Sequence, residues 1–331
     1  MPLLEIEKPM HRQWRISMAA TLSILLISGC SSQRFAYPDP EISVENLRNT
    51  VSYLSAISAP RNYYNPGSLR DAATYISRKF REYGLKPEEQ EFGVGEPSDL
   101  TAATYVNVLA SVGPREGSRL IVGAHYDVCG DQPGADDNAS AVAGLLEIAR
   151  FAKKHEAELP YGIDFVAYSL EEPPIFRTTK MGSYVHAESL HRKNIAVRGM
   201  ICLEMIGYFT EEEKSQEYPL PLLKLFYPSV GNFIGVVSNY GSSSLAKQVA
   251  RHMRVADLDV QALSAPSFLP GVDFSDHRNY WTFGYEAVMI TDTSFYRNPN
   301  YHKKTDTIDT LSFEKMKEVV NGVCWVVLNI K

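Results

Sequence analysis

The chain has 331 residues, 44% hydrophobic, 22% charged and 11% aromatic, which excludes a disordered chain, a collagen-like repeat and a disulfide-stapled miniature. Its 39 acidic residues against 33 basic ones give a formal charge of −6 with no long run of like charge, which argues against a nucleic-acid partner. Four cysteines are too few for a disulfide framework, and the length suits one large α/β domain or two small ones, either with a substantial core.

In chain order, the first feature is an apolar run at residues 16–27, too short to span a bilayer as a helix. Arg12 and Arg15 precede it, and Ser28 and Gly29 lead into Cys30, in the order of a secretory leader. Ile27-Ser28-Gly29-Cys30 resembles a bacterial lipobox. That resemblance implies cleavage before Cys30, a lipid anchor on it, and a place in the bacterial cell envelope facing periplasm or exterior. Glu5 and Glu7 are unusual in such a leader, and a start at Met10 would leave a cleaner one. Residues 1–29 are thus expected to be a lipoprotein signal, 30–43 the lipidated Cys30 and its tether, and 44–331 a single domain.

Within that domain, residues 69–83 carry helical spacing, with Gly84 as a C-cap. Residues 105–112 and 120–124 read as strands flanking the turn that Gly113-Pro114 begins. Val142, Leu145, Leu146, Ala149 and Ala152 share one helix face. The apolar runs at 163–170 and 200–203 predict strands buried on both faces, and 234–237 and 287–291 add two more. Residues 311–330 form a closing helix with Ser312 as N-cap. Interleaved strands and helices predict a mostly parallel sheet covered on both sides. Residues 208–231 interrupt the alternation; their aromatic content reads as a lid or pocket wall.

In open α/β sheets ligands gather beyond the carboxyl ends of the strands, so the residues that follow each predicted strand test for a site. His125 and Asp127 follow the strand at 120–124, Glu171 and Glu172 follow 163–170, and Glu204 follows 200–203. A Glu-Glu doublet is ordinarily solvated surface, but here it ends an apolar strand. Residues two apart in extended chain project to the same side, so Asp127 is placed to orient the His125 ring. Asp136-Asp137-Asn138 precede the amphipathic helix; a cap needs one of them, which leaves a carboxylate unexplained. His125, Asp137, Glu171, Glu172 and Glu204 form a mixed nitrogen–oxygen set suited to zinc, with a paired-metal site accessible because carboxylates bridge. His277 and His302 are both candidates for the missing second imidazole. Cys129, four residues beyond His125, is read as a free or disulfide-bonded thiol, and Asp292, after 287–291, as a supporting or substrate-amine contact.

Gly123-Ala124-His125-Tyr126-Asp127, Pro133-Gly134-Ala135-Asp136-Asp137-Asn138, Glu171-Glu172, Leu203-Glu204-Met205 and Tyr301-His302, with Asp306-Thr307 beyond, together resemble the co-catalytic zinc aminopeptidases. Relatives include secreted bacterial leucine aminopeptidases, glutamate carboxypeptidase and glutaminyl cyclase. The resemblance implies an α/β fold with a mixed, mainly parallel central sheet of about eight strands between helices. It implies two Zn²⁺, one held by His125 and Glu204, the other by Glu172 and His302, with Asp137 bridging and a cis peptide after it. Glu171 matches the general base, Tyr301 a tyrosine that in some members polarises the substrate carbonyl, and His277 a Ser-Asp-His segment that is not a ligand. Two departures stand out: Glu204 replaces an aspartate, and Pro173 to Arg177 form a longer loop than usual. The implied activity is aminopeptidase cleavage of peptide substrates. A carboxypeptidase or a cyclase on the same site, or a metal-free receptor-like ectodomain, are the alternatives.

Overall fold

The structure, a computed structural model, describes residues 25–26, 41–95 and 103–330. Apart from Leu25–Leu26, the leader, Cys30 and residues 31–40 of the tether lie outside the described residues. In order the elements are β1 (Leu25–Leu26), α1 (Val44–Ser55), α2 (Pro66–Glu82), β2 (Pro87–Gly93), β3 (Thr104–Val112), β4 (Arg119–His125), α3 (Ala141–Lys154) and β5 (Gly162–Tyr168). There follow α4 (Gly182–Arg192), β6 (Val197–Glu204), β7 (Phe233–Ser238), α5 (Ser243–Met253), β8 (Asp259–Ser264), α6 (His277–Thr282), β9 (Ala287–Thr291) and α7 (Phe313–Asn329).

The strands form one sheet in the order β1-β8-β7-β9-β6-β4-β5-β3-β2. Pairings β4–β5, β4–β6, β6–β9 and β7–β8 are parallel; β2–β3, β3–β5, β7–β9 and the short β1–β8 pair are antiparallel. The expected mixed sheet is therefore present, parallel at its centre (β5-β4-β6-β9) and with as many antiparallel as parallel pairings overall, with two-residue β1 added at the β8 edge. The apolar runs at the centre are buried on both faces, as parallel strands require. On β4, Leu120, Val122 and Ala124 pack into the larger core, while Ile121 turns to the opposite cluster with Val166, Tyr168, Met200 and Tyr280. Helices α1, α2, α3, α5 and α7 cover the first face, and α4 with α6 the second.

Local chemistry sets several boundaries. Ser43 caps α1 and Ser312 caps α7, each hydroxyl accepting a backbone N–H, from Asn46 at 3.1 Å and from Lys315 at 3.4 Å. Proline opens α2, and Gly84, at φ 78°, follows its end. β2, of sequence Pro-Glu-Glu-Gln-Glu-Phe-Gly, has no apolar alternation and was not anticipated; its charges suit an exposed sheet edge. Residues 208–231 form a fixed wall. Thr210 N–H donates to Gly231 O at 3.0 Å, Gln216 N–H to Ser229 O at 3.1 Å, and the Tyr227 hydroxyl to Ala262 O of β8 at 2.9 Å.

Candidate active site

Because β6, β4 and β5 are neighbours running in parallel, their carboxyl ends open side by side. His125 ends β4 and Glu204 ends β6, while Glu171 and Glu172 lie just beyond β5. Leu170, at φ 63°, and Met205, at φ 48°, take the left-handed conformation where the chain leaves β5 and β6. The turn Ala135–Ser140 brings Asp137 across the top of the sheet, and the Asp137–Asn138 peptide is cis, as the resemblance implied.

The side chains converge. Asp137 Oδ1 lies 3.5 Å from His125 Nε2, and Asp137 Oδ2 lies 3.2 Å from His302 Nε2. Glu204 Oε2 is 3.2 Å from His125 Nε2, and Glu172 Oε1 is 3.3 Å from His302 Nε2. The aspartate thus turns one oxygen to each imidazole, and each imidazole meets one further carboxylate. The longer side chain at Glu204 reaches its place without difficulty and is steadied by the Ser275 hydroxyl, which donates to Oε2 at 2.6 Å.

Asp137 Oδ1, Glu172 Oε1 and His302 Nε2 are buried and make no hydrogen bond. Buried polar atoms are nearly always satisfied, so unpaired carboxylate oxygens and an imidazole nitrogen gathered in one cluster mark a place for a cation. The electrostatics agree. Burial disfavours charge on His125 and His302, yet Glu204 and Asp127 at the first, and Asp137 and Glu172 at the second, outweigh it and raise both imidazoles above their ordinary range. Burial, and next the Asp137 charge, push the Glu172 carboxyl up to about 8; burial also holds Glu171 well above the usual carboxylate range. A divalent cation would satisfy this field in place of protons, and the mixed nitrogen–oxygen donors fit it.

Around these donors runs a supporting layer. The Asp127 carboxylate accepts the backbone N–H of Glu171 and of Glu172, each at 3.0 Å, and its Oδ1 lies 3.4 Å from His125 Nδ1. One aspartate therefore orients a ring and two backbone positions, which goes beyond the pairing expected from spacing. Asp306 accepts the N–H of Asp136 at 2.9 Å and of Asp137 at 3.1 Å. Asn138 Oδ1 accepts Met205 N–H at 2.9 Å, tying the turn to β6. Arg61 was missed: it is 2% exposed and donates to the carbonyls of Tyr126 at 2.9 Å, Pro133 at 2.8 Å, Gly134 at 3.0 Å and Leu54 at 2.5 Å. Burial lowers this guanidinium to about 10, against the charges of Asp306, Asp127 and Asp137. Nothing in its sequence context marked it; only the fold brings it beneath the turn.

A cavity of about 240 Å³ opens over the cluster. Asp137, Glu171, Glu172, Glu204, Tyr301 and His302 line its inner end, and Tyr301 stacks on His302 with ring centroids 3.7 Å apart. The outer walls are mostly apolar, from Phe176 and Pro173 after the Glu-Glu pair, Tyr218 and Tyr227 of the wall segment, and Phe274 and Phe295. Of the remaining candidates, His277 is fully buried with Nε2 2.8 Å from Val272 O, and holds a loop rather than a metal. Asp292 is also fully buried and accepts the N–H groups of Tyr208 and Ser294, both at 2.9 Å, so it fastens the wall segment to the end of β9 and does not line the cavity. Cys129, Cys202 and Cys324 are all free thiols.

Two imidazoles, a shared aspartate and a glutamate doublet thus gather above the carboxyl ends of parallel strands, a candidate metal site in an α/β fold. Residues 107–327 match peptidase family M28, and the chain belongs to that family. It is 44% identical over 298 residues to the Escherichia coli (strain K12) protein YfbL, covering 87% of this chain and 89% of that one. It is 22% identical over 291 residues to leucine aminopeptidase 1 of Arthroderma otae, covering 83% and 70%. Among solved structures, the aminopeptidase LapA of Legionella pneumophila superposes with TM-score 0.67 at 20% identity, over 87% of this chain and 71% of that one. A glutaminyl cyclase of Bacteroides thetaiotaomicron gives 0.66 at 19% identity, over 88% and 99%.

Proposed function

We propose that this protein is a zinc-dependent aminopeptidase that removes N-terminal residues from peptides. The observation that carries the reading is the division of Asp137 between His125 and His302, each backed by its own glutamate. His125 and Glu204 would hold one Zn²⁺, Glu172 and His302 the other, with Asp137 shared. Zinc bound there supplies Lewis acidity and lowers the pKa of water. Glu171 lines the cavity beside the donors and is not one of them, so it takes the proton of the attacking water and returns it to the leaving amine. Tyr301, stacked on His302 at the inner end of the cavity, hydrogen-bonds the substrate carbonyl. Asp127 keeps the Glu171–Glu172 backbone and the His125 ring in register.

The lipobox-like segment before Cys30 supports a lipid-anchored form in the bacterial cell envelope, with substrates reached from the periplasm or exterior. Labelled fatty acid incorporated by the wild type and lost in Cys30→Ser would support the anchor; incorporation by both would overturn it.

The test of activity is hydrolysis of an aminoacyl-anilide panel by the full chain in detergent, before and after chelation and zinc restoration. Chelator-sensitive, zinc-restored cleavage with a preference for apolar residues is expected from the cavity walls. N-blocked acidic peptides and N-terminal glutaminyl peptides belong in the same panel. Turnover of these alone would replace the aminopeptidase reading with a carboxypeptidase or a cyclase. Absence of bound zinc would favour a binding module.

A further inference from the structure

Among the described residues, two groups of three side chains bring ligand atoms within 4.8 Å of one another. One, His125 with Asp137 and Glu172, belongs to the donor set already described. The other is Cys129 with Glu172 and His302, and the function above gives its sulfur no role. Cys129 is partly exposed and free, on the stretch between Asp127, which orients the donors, and the Arg61-held turn. A second observation points into the same place: Glu172 is 5% exposed, and its Oε1 has no hydrogen-bond donor.

We propose that the Cys129 thiolate is a further protein ligand at the Glu172–His302 end of the metal site. This rests on the metal-dependent reading of that site. Imidazole nitrogen, carboxylate oxygen and thiolate sulfur are the three donor types that zinc accepts, and sulfur favours zinc or cadmium over magnesium, calcium or manganese. Ligation releases the thiol proton to solvent, so the bond formed is between metal and sulfur with no change of oxidation state.

The consequence is an asymmetry between the two positions. The Cys129 sulfur would join Glu172 and His302 at one end, whereas the group around His125 and Asp137 includes no cysteine. Thiolate is a donor that selects zinc over harder cations, so the His302 end would hold the more tightly bound ion and the His125 end the more exchangeable one.

The experiment uses the full chain in detergent, loaded with zinc and then dialysed against a weak chelator. The wild type should keep about one zinc per chain, since the end that adds a thiolate holds its ion more tightly. Timed iodoacetamide alkylation, read peptide by peptide, should be slowed at Cys129 at least about tenfold by the retained ion, the scale on which metal-site contacts alter affinity. Cys202 and Cys324, both buried, serve as internal controls. Cadmium in place of zinc should give an ultraviolet thiolate-to-cadmium band that Cys129→Ser and Cys129→Ala both lose, and both variants should release their last zinc on the same dialysis. A far-ultraviolet circular dichroism spectrum like the wild type's confirms that the variants are folded. Equal alkylation of Cys129 with and without the retained zinc, or a cadmium band unchanged in the variants, would overturn the assignment. A wild type that binds neither zinc nor cadmium would overturn the metal reading itself, a distinct result.

Discussion

The floor and the wall of the cavity are built on different principles. On the floor, the ends of three adjacent parallel strands present His125, Glu171, Glu172 and Glu204, and backbone hydrogen bonds to Asp127, Asp306 and Asn138 fix the loops between them. On the wall, residues 208–231 and the stretches around Phe274 and Phe295 meet through side-chain contacts across long sequence separations. Gln216 Nε2 donates to the Thr293 hydroxyl at 2.8 Å, Arg297 Nε donates to Gln216 Oε1 at 2.8 Å, and Arg177 pairs with Asp273 at 2.7 Å. On the proposed function, the floor would fix what chemistry is done and the wall on what.

That division makes a graded set of expectations. Glu171→Gln should lose about 10²–10⁴-fold in kcat while binding as much zinc as the wild type, because only the proton carrier is removed. Retained activity in that variant would take Glu171 off the floor. Arg61→Met should weaken metal affinity by about 10–100-fold, the usual cost of disturbing groups that orient ligands. Arg61→Lys should restore only part of it, since an ammonium cannot reach four carbonyls with a planar fork. Competition with a chelator measures both.

On the wall the effects should be smaller and substrate-dependent. Phe274→Ala should cost about tenfold in kcat/KM for aromatic and branched N-terminal residues, the scale of lost apolar contacts, and little for alanine. A uniform loss across the panel would mean that wall and floor are not separable. Least affected should be Tyr227→Phe, which removes one hydrogen bond to Ala262 O and costs about 1 kcal/mol in stability, read by denaturant unfolding. Its selectivity should shift by no more than a few-fold.

The same division explains what could be read in advance. Strand-end donors are legible because a polar residue closing an apolar run is conspicuous, and the register of β4, β5 and β6 then gathers them. The segment 208–231 could be recognised as an interruption, but its path depends on partners such as Arg297 and Ala262 that no local pattern reveals. Asp292, expected to support the site or meet a substrate amine, accepts the backbone N–H groups of Tyr208 and Ser294 and lies beside the Asp136 and Arg297 side chains, partners that its sequence neighbourhood does not reveal. Arg61 sits in a polar connection between α1 and α2 and acquires meaning only when the chain folds back beneath Gly134. There φ is +63°, and an added Cβ would crowd Val128 and the carbonyl of Asp137.

Arg61 also shows where the working unit begins. Every donor atom lies within residues 107–327, the stretch that carries the family's own pattern. The cation that pins the Asp137 turn does not; it arrives with α1, whose Leu47, Val51 and Leu54 are fully buried in the common core. A protease that nicked the chain between Arg61 and Tyr105 would leave all the ligands on one fragment and their clamp on the other. The catalytic module is thus longer than the part in which its chemistry is written, and its first helix is a working component.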